Sequence, residues 1–133
     1  MILVETSAIV AIALEEAGSE RLVQQIRAAD APVTTVTNGF EAALSIGKVL
    51  GDYEVAEAAV PQLLNALGIR MVGIEADLYG EAMKAYRRFG KGTGHPARLN
   101  FGDCFSYAYA TKHELQLLYK GDDFARTDIA SAT

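Results

Sequence analysis

The chain has 133 residues, a single cysteine, and 17 acidic against 12 basic side chains, for a formal net charge of -5 at pH 7. That length supports one hydrophobic core without disulfide or metal staples, so one domain over residues 1–133 is the expectation. Charges interrupt every apolar run before the ~18 residues of a membrane span, the start lacks the basic region of a secretory signal, and the acidic balance argues against broad nonspecific attraction to nucleic acid. A cytoplasmic protein without a membrane partner is expected. Cys104 has no second Cys and no His at metal-ligand spacing, and reads as a buried thiol.

Residues 1–4 read as a short buried strand, followed by the polar turn Glu5-Thr6-Ser7 and a helix through Ala8, Ile9, Ala11 and Ile12 that Thr6 or Ser7 would cap. Glu5 then lies at the carboxyl end of a strand, where open α/β sheets bind their ligands. Leu22, Val23, Ile26 and Ala29 recur at helical spacing on a surface helix. Pro32-Val33-Thr34-Thr35-Val36 is a second strand that hands over to a helix carrying Glu41. Thr37 or Asn38 at that start offers Glu41 a capping-box role beside a functional one.

Residues 52–67 form a helix that Pro61 kinks or divides, and residues 69–74 a third strand. Residues 75–89 form a helix with Leu78, Ala82, Ala85 and Phe89 inward and Lys84, Arg87 and Arg88 on its other side. Residues 90–98 are too rich in Gly and Pro for regular structure and read as a mobile loop. They lead into a helix with Asp103 in its first turn, a place that the helix dipole favours for an acid in any case. Residues 115–119 are a fourth strand, residues 120–124 a turn holding Asp122 and Asp123, and residues 127–130 a short edge strand.

This alternation implies an α/β fold with a mainly parallel sheet of four to five strands, covered on both faces. Acids recur where strands end or helices begin. Carboxylates gathered in one cleft repel, and a hard divalent cation, Mg²⁺ or Mn²⁺, relieves that repulsion while leaving coordination positions for a phosphate oxygen and a water. Phosphodiester hydrolysis is the chemistry so suggested. No Walker-type loop, Gly-x-Ser-x-Gly elbow or zinc spacing supports a rival, nor does a strand-end Asp with a later Lys, as a phosphate-accepting receiver domain needs. Arg87, Arg88, Lys91 and Arg98, just before Asp103, read either as a solvated face or as contacts to phosphates.

Five segments carry a resemblance. Met1-Ile2-Leu3-Val4-Glu5-Thr6-Ser7-Ala8, Phe40-Glu41-Ala42, Tyr86-Arg87-Arg88-Phe89-Gly90-Lys91-Gly92, Leu99-Asn100-Phe101-Gly102-Asp103-Cys104-Phe105-Ser106-Tyr107-Ala108 and Leu118-Tyr119-Lys120-Gly121-Asp122-Asp123-Phe124 resemble the successive motifs of VapC toxins, which are PIN-domain ribonucleases. The resemblance implies a PIN-like three-layer α/β/α sandwich. It also implies a Mg²⁺- or Mn²⁺-dependent endoribonuclease acting on structured RNA such as tRNA or rRNA. Such a toxin belongs to a type II toxin-antitoxin system, is held inactive by a VapB-type antitoxin, meets operator DNA only through that antitoxin, and is dimeric.

Carried over by position, Glu5, Glu41, Asp103 and Asp122 match the family's catalytic acids, and Glu5, Asp103, Asp122 and Asp123 its metal-holding set. Ser7 matches a small hydroxyl residue that orients the metal's water shell. Arg87, Arg88, Lys91 and Arg98 fall where contacts to RNA or antitoxin are expected. One position departs from the pattern: the toxins carry Asp where this chain has Glu5. An added methylene displaces the carboxylate, and a ~1 Å misplacement of a catalytic group costs on the order of a hundredfold in rate. The alternative reading is therefore a catalytically impaired PIN protein acting mainly through antitoxin binding and autoregulation.

Overall fold

The division of the core starts in strand β1 (Ile2–Val4), whose successive side chains point to opposite sides of the sheet. In the computed structural model, which describes residues 1–132, Ile2 and Val4 enter one apolar cluster and Leu3 another. The last residue of the expected 1–133 span lies outside the described residues. Strands β2 (Val33–Thr35), β3 (Arg70–Val72) and β4 (Gln116–Leu118) complete a sheet of order β3-β2-β1-β4, parallel throughout. Leu3 lies in register with Val33 on one side and Leu117 on the other.

Helices α1 (Thr6–Ala13), α2 (Ser19–Ala28), α3 (Val36–Leu50) and α4 (Tyr53–Ala66) supply Ile9, Ile26, Ile46 and Val60 to the cluster around Ile2 and Val4. Helices α5 (Leu78–Phe89) and α6 (Phe101–Lys112) supply Ala85, Phe89, Cys104 and Tyr107 to the cluster around Leu3. The result is the expected three-layer α/β/α sandwich, with four strands. Cys104 is buried, and burial pushes its thiol up to about 11. Among the described residues no helix is long and apolar enough to cross a membrane.

Several local expectations are corrected. Residues 127–130 form no edge strand; one parallel bridge joins Leu117 to Ser131, where the Leu117 N–H donates to the Ala130 carbonyl at 2.8 Å. The Thr127 hydroxyl donates to the Phe124 carbonyl and accepts the Ile129 N–H, local bonds that compete with a ladder. Thr6 and Ser7 do not cap α1: Glu5 does, its carboxylate accepting the Ser7 N–H at 3.0 Å. Thr35, not Thr37 or Asn38, caps α3 by accepting the Asn38 N–H at 3.1 Å.

Pro61 leaves α4 continuous. It and Glu57, whose carbonyl loses the missing N–H, are both exposed, so the gap falls on the solvent side of the helix. The loop of residues 90–98 is pinned at both ends. The Lys91 N–H donates to the Leu99 carbonyl and the Leu99 N–H to the Phe89 carbonyl, both at 2.8 Å, while Tyr86 donates its hydroxyl to the Lys91 carbonyl. Ala97 and Leu99 anchor it as fully buried side chains.

Candidate active site

A parallel sheet brings the carboxyl ends of its strands to one edge, beside the N-termini of the helices that follow. Glu5 directly follows β1, Glu41 lies in α3 beyond the end of β2, Asp103 stands in the first turn of α6, and Asp123 follows β4. These four acids line one cleft of about 510 Å³, together with Ser7, Glu16, Asn100 and Lys120. Gly121, at a φ of 105°, turns the chain between Lys120 and the aspartates. Asp122 is exposed and is not among the residues lining the cleft.

Each acid is held differently. Glu5 is 5% exposed and accepts two bonds on Oε1, from the Ser7 N–H and from the Ser7 hydroxyl at 2.5 Å. Burial raises its carboxyl to about 7, with the Ser7 bonds opposing and the charges of Asp103 and Glu41 adding. Glu41 is half-buried, raised by desolvation and then by the Asp103 charge, while the Thr6 hydroxyl lowers it. Asp103 is also raised, first by burial and then by Asp123, against the Asn100 N–H that lowers it. Asp103 thus couples electrostatically to all three other acids.

Asp103 also serves its helix. Its Oδ2 accepts the Asn100 N–H at 3.1 Å while the Asn100 side chain accepts the Asp103 N–H at 2.8 Å, a complete capping box. That fixes the carboxylate and leaves Oδ1 without a hydrogen bond among the described residues. Gly102 leaves room for the Glu41 carboxylate between α3 and α6: a Cβ there would lie 2.5 Å from the Glu41 Cδ and closer still to its Oε1. Glu41 therefore occupies space that only glycine leaves open.

Ser7 spends its proton on Glu5 and accepts the Lys120 N–H at 2.8 Å, tying the ends of β1 and β4 together. Glu16 and Lys120, which the sequence reading did not single out, form an ion pair of 2.8 Å beside the cleft. Nothing in the periodicity marks Glu16, which follows α1 in a turn. None of Arg87, Arg88, Lys91 or Arg98 lines the cleft. Arg87 and Arg88 lie along a separate groove between α5 and α6, where Arg88 pairs with Asp128 at 3.1 Å.

All donors facing the cleft are hard oxygens, which suits Mg²⁺ or Mn²⁺ rather than a thiophilic metal. Among the described residues no three His, Cys, Asp or Glu side chains are grouped closely enough to hold a metal ion by themselves. An ion held here would take at most two of these side chains directly and fill its other positions with water.

The PIN domain family model matches residues 2–130. Ribonuclease VapC42 of Mycobacterium tuberculosis is 38% identical over 130 residues, covering 98% of both chains. A ribonuclease VapC of Mycolicibacterium smegmatis is 39% identical over 130 residues, covering 96% of this chain and 97% of that one. Among solved structures, the sarcin-ricin-loop-cleaving toxin VapC20 of Mycobacterium tuberculosis superposes with a TM-score of 0.77 at 20% identity, over 98% of this chain and 97% of that one. A chain of a toxin-antitoxin complex from Klebsiella pneumoniae gives 0.67 at 13% identity, over 94% and 91%. These two structural likenesses speak for the fold.

Proposed function

Because the chain belongs to the PIN-domain family and, within it, to the VapC toxin ribonucleases, we propose that it is a Mg²⁺- or Mn²⁺-dependent endoribonuclease that hydrolyses phosphodiester bonds of structured RNA at the cleft of Glu5, Glu41, Asp103 and Asp123. The observation that carries the reading is that Asp103 lines one cleft with Glu5, Glu41 and Asp123, where burial first and then their mutual charges raise Glu5, Glu41 and Asp103. Five carboxylates line the cleft, with Lys120 the one cation among its lining residues and already paired with Glu16. A divalent cation is the simplest group that lets them all ionise.

Asp103 and Asp123 would hold the ion directly, with Glu5, just after β1, reaching it through retained water. When bound, it would lower the pKa of a water and draw electron density from a phosphate oxygen. The chain's own residues do the rest. The capping box keeps Asp103 aimed into the cleft, and Ser7 orients Glu5. Glu41, raised above an ordinary carboxylate, is a suitable acceptor for the proton of an attacking water. Lys120 presents its ammonium group beside the acids, where an incoming phosphate would compete with Glu16 for it.

As a member of this family the chain would be held in check by a VapB-type antitoxin and reach operator DNA only through it. It would also form a homodimer, and Val36, Phe40 and Leu44, exposed at every fourth residue of α3, offer an apolar stripe for such a contact. One observation favours a second reading, a nuclease of low activity retained mainly for antitoxin binding. The Glu5 carboxylate bends back to cap its own helix, where the toxins' shorter Asp would be placed differently. Comparison of RNA cleavage by the wild type and Glu5→Asp separates the readings: a gain of about a hundredfold in Glu5→Asp supports the second.

The test of the main reading is incubation of the purified chain with total cellular RNA in Mn²⁺, in Mg²⁺ and in EDTA, with sequencing of the new RNA ends. Discrete cuts that appear with either metal and vanish in EDTA are expected. Cuts that persist in EDTA would overturn metal dependence.

A further inference from the structure

Asn38 is fully buried in the first turn of α3, a polar side chain in a place that an aliphatic residue would fill without cost to hydrogen bonding. Its Nδ2 donates to Thr6 Oγ1 at 3.1 Å and to Ser106 Oγ at 2.8 Å, and its Oδ1 accepts from Thr35 Oγ1 at 2.9 Å. Those bonds reach three helices, and each helix carries an acid close by. Thr6 is next to Glu5, Asn38 lies one turn before Glu41, and Ser106 lies one turn after Asp103.

Every polar atom of the Asn38 side chain has a partner. Both amide hydrogens go to hydroxyls, so Thr6 and Ser106 act as acceptors toward Asn38 and spend their own protons outward. Ser106 donates to the Gly102 carbonyl at 3.2 Å, and Gly102 is the residue against which the Glu41 carboxylate rests. Thr6 donates to the Asn38 carbonyl at 3.2 Å and also lies within reach of Glu41. The hub therefore joins the three helix starts through one side chain, and a satisfied buried network of this kind specifies one packing.

We propose that Asn38 is the positioning residue of the acid cluster: its side-chain amide locks the starts of α1, α3 and α6 in the one mutual placement that turns Glu5, Glu41 and Asp103 into a common cleft. Asn38 itself faces none of the cleft, so it acts only through these helices. The inference rests on the reading of that cleft as a metal-dependent nuclease site.

The test uses the full-length chain and two variants, Asn38→Ala and Ser106→Ala, the second removing the arm to α6 together with the Ser106 bond to the Gly102 carbonyl while keeping the Asn38 bonds to Thr6 and Thr35. Mn²⁺ affinity is measured by calorimetry, cleavage is separated into kcat and KM, and circular dichroism reports the fold. Both folded variants are expected to bind Mn²⁺ about 10- to 100-fold more weakly, as is usual when a group supporting metal ligands is lost. In both, kcat should fall while KM for RNA stays near that of the wild type. The double variant should lose no more than Asn38→Ala alone, since the two act through one bond. Folded variants with wild-type Mn²⁺ affinity would overturn the proposal and reduce Asn38 to packing. If Asn38→Ala does not fold, Ser106→Ala decides by the same criterion. A wild-type chain that binds no Mn²⁺ would instead remove the nuclease reading itself, and this inference with it.

Discussion

Glu5 carries two duties that pull against each other. Capping α1 keeps it buried, and burial favours its neutral form; a role beside a metal needs its charge. The folded chain holds this proton to about pH 7, while the unfolded chain releases it near 4.5. The sign follows from linkage: the folded state binds the extra proton between those values, so this contribution to stability is fully present below pH 4.5 and is lost as pH rises to about 7. The loss amounts to about 3 kcal/mol. Urea unfolding in EDTA should show the stability of the wild type falling relative to Glu5→Gln across that range; parallel curves would refute the burial account. The adjacent aspartates make a second case. Both aspartates are exposed, but only Asp123 lines the cleft, so Asp123→Asn should weaken Mn²⁺ binding about tenfold or more, whereas Asp122→Asn should leave calorimetric titrations nearly unchanged. The sequence placed both residues after a strand, but which of two neighbours in a turn borders the cleft depends on backbone torsions, and no spacing rule encodes them.

Among the elements, helix periodicity was the most legible feature because each helix buries one face against the sheet. The inward residues of α5, Leu78, Ala82, Ala85 and Phe89, are buried as their spacing requires. Helix starts were less legible. Glu5, directly after β1, and Thr35, the last residue of β2, each cap the helix that follows, so the polar turn Glu5-Thr6-Ser7 that the sequence suggested is absent. The edge strand failed for a related reason, since the Thr127 hydroxyl satisfies locally the backbone that a ladder would have used. Gly102 shows what element packing asks of one residue. Alanine in a helix usually gains about 1 kcal/mol over glycine, but a Cβ here would overlap the Glu41 carboxylate. Because that carboxylate is the free end of a side chain, it moves aside. Gly102→Ala should therefore leave the melting temperature almost unchanged and lower kcat by roughly ten- to a hundredfold. A large drop in melting temperature with kcat intact would mean that the backbone yields instead.

The chain as a unit presents an acidic cleft on a protein of net charge -5 to a polyanion. The cations expected to meet phosphates lie elsewhere: Arg88 is paired with Asp128 and stacked on Phe89, and Arg87 lies along the same groove between α5 and α6. Lys120 is the one cation among the residues lining the cleft, and the proposed metal would supply the rest of the positive charge there. Strand and helix alternation revealed the parallel sheet, since parallel strands need crossover helices, but it could not reveal which strand is central. That depends on contacts between segments far apart, such as the pairing of Leu3 with both Val33 and Leu117. The same long-range closure makes Asp103 the centre of the site. Its helix-capping role was visible locally; its coupling to Glu5, Glu41 and Asp123 required the fold. The most direct test is the single-turnover cleavage rate of one defined RNA substrate, measured against Mn²⁺ concentration for the wild type and Asp103→Asn. The account predicts a saturable metal dependence for the wild type and a rate reduced on the order of a hundredfold or more in Asp103→Asn, with its circular dichroism unchanged. Cleavage by folded Asp103→Asn at the wild-type rate, or by the wild type at the same rate without metal, would contradict it.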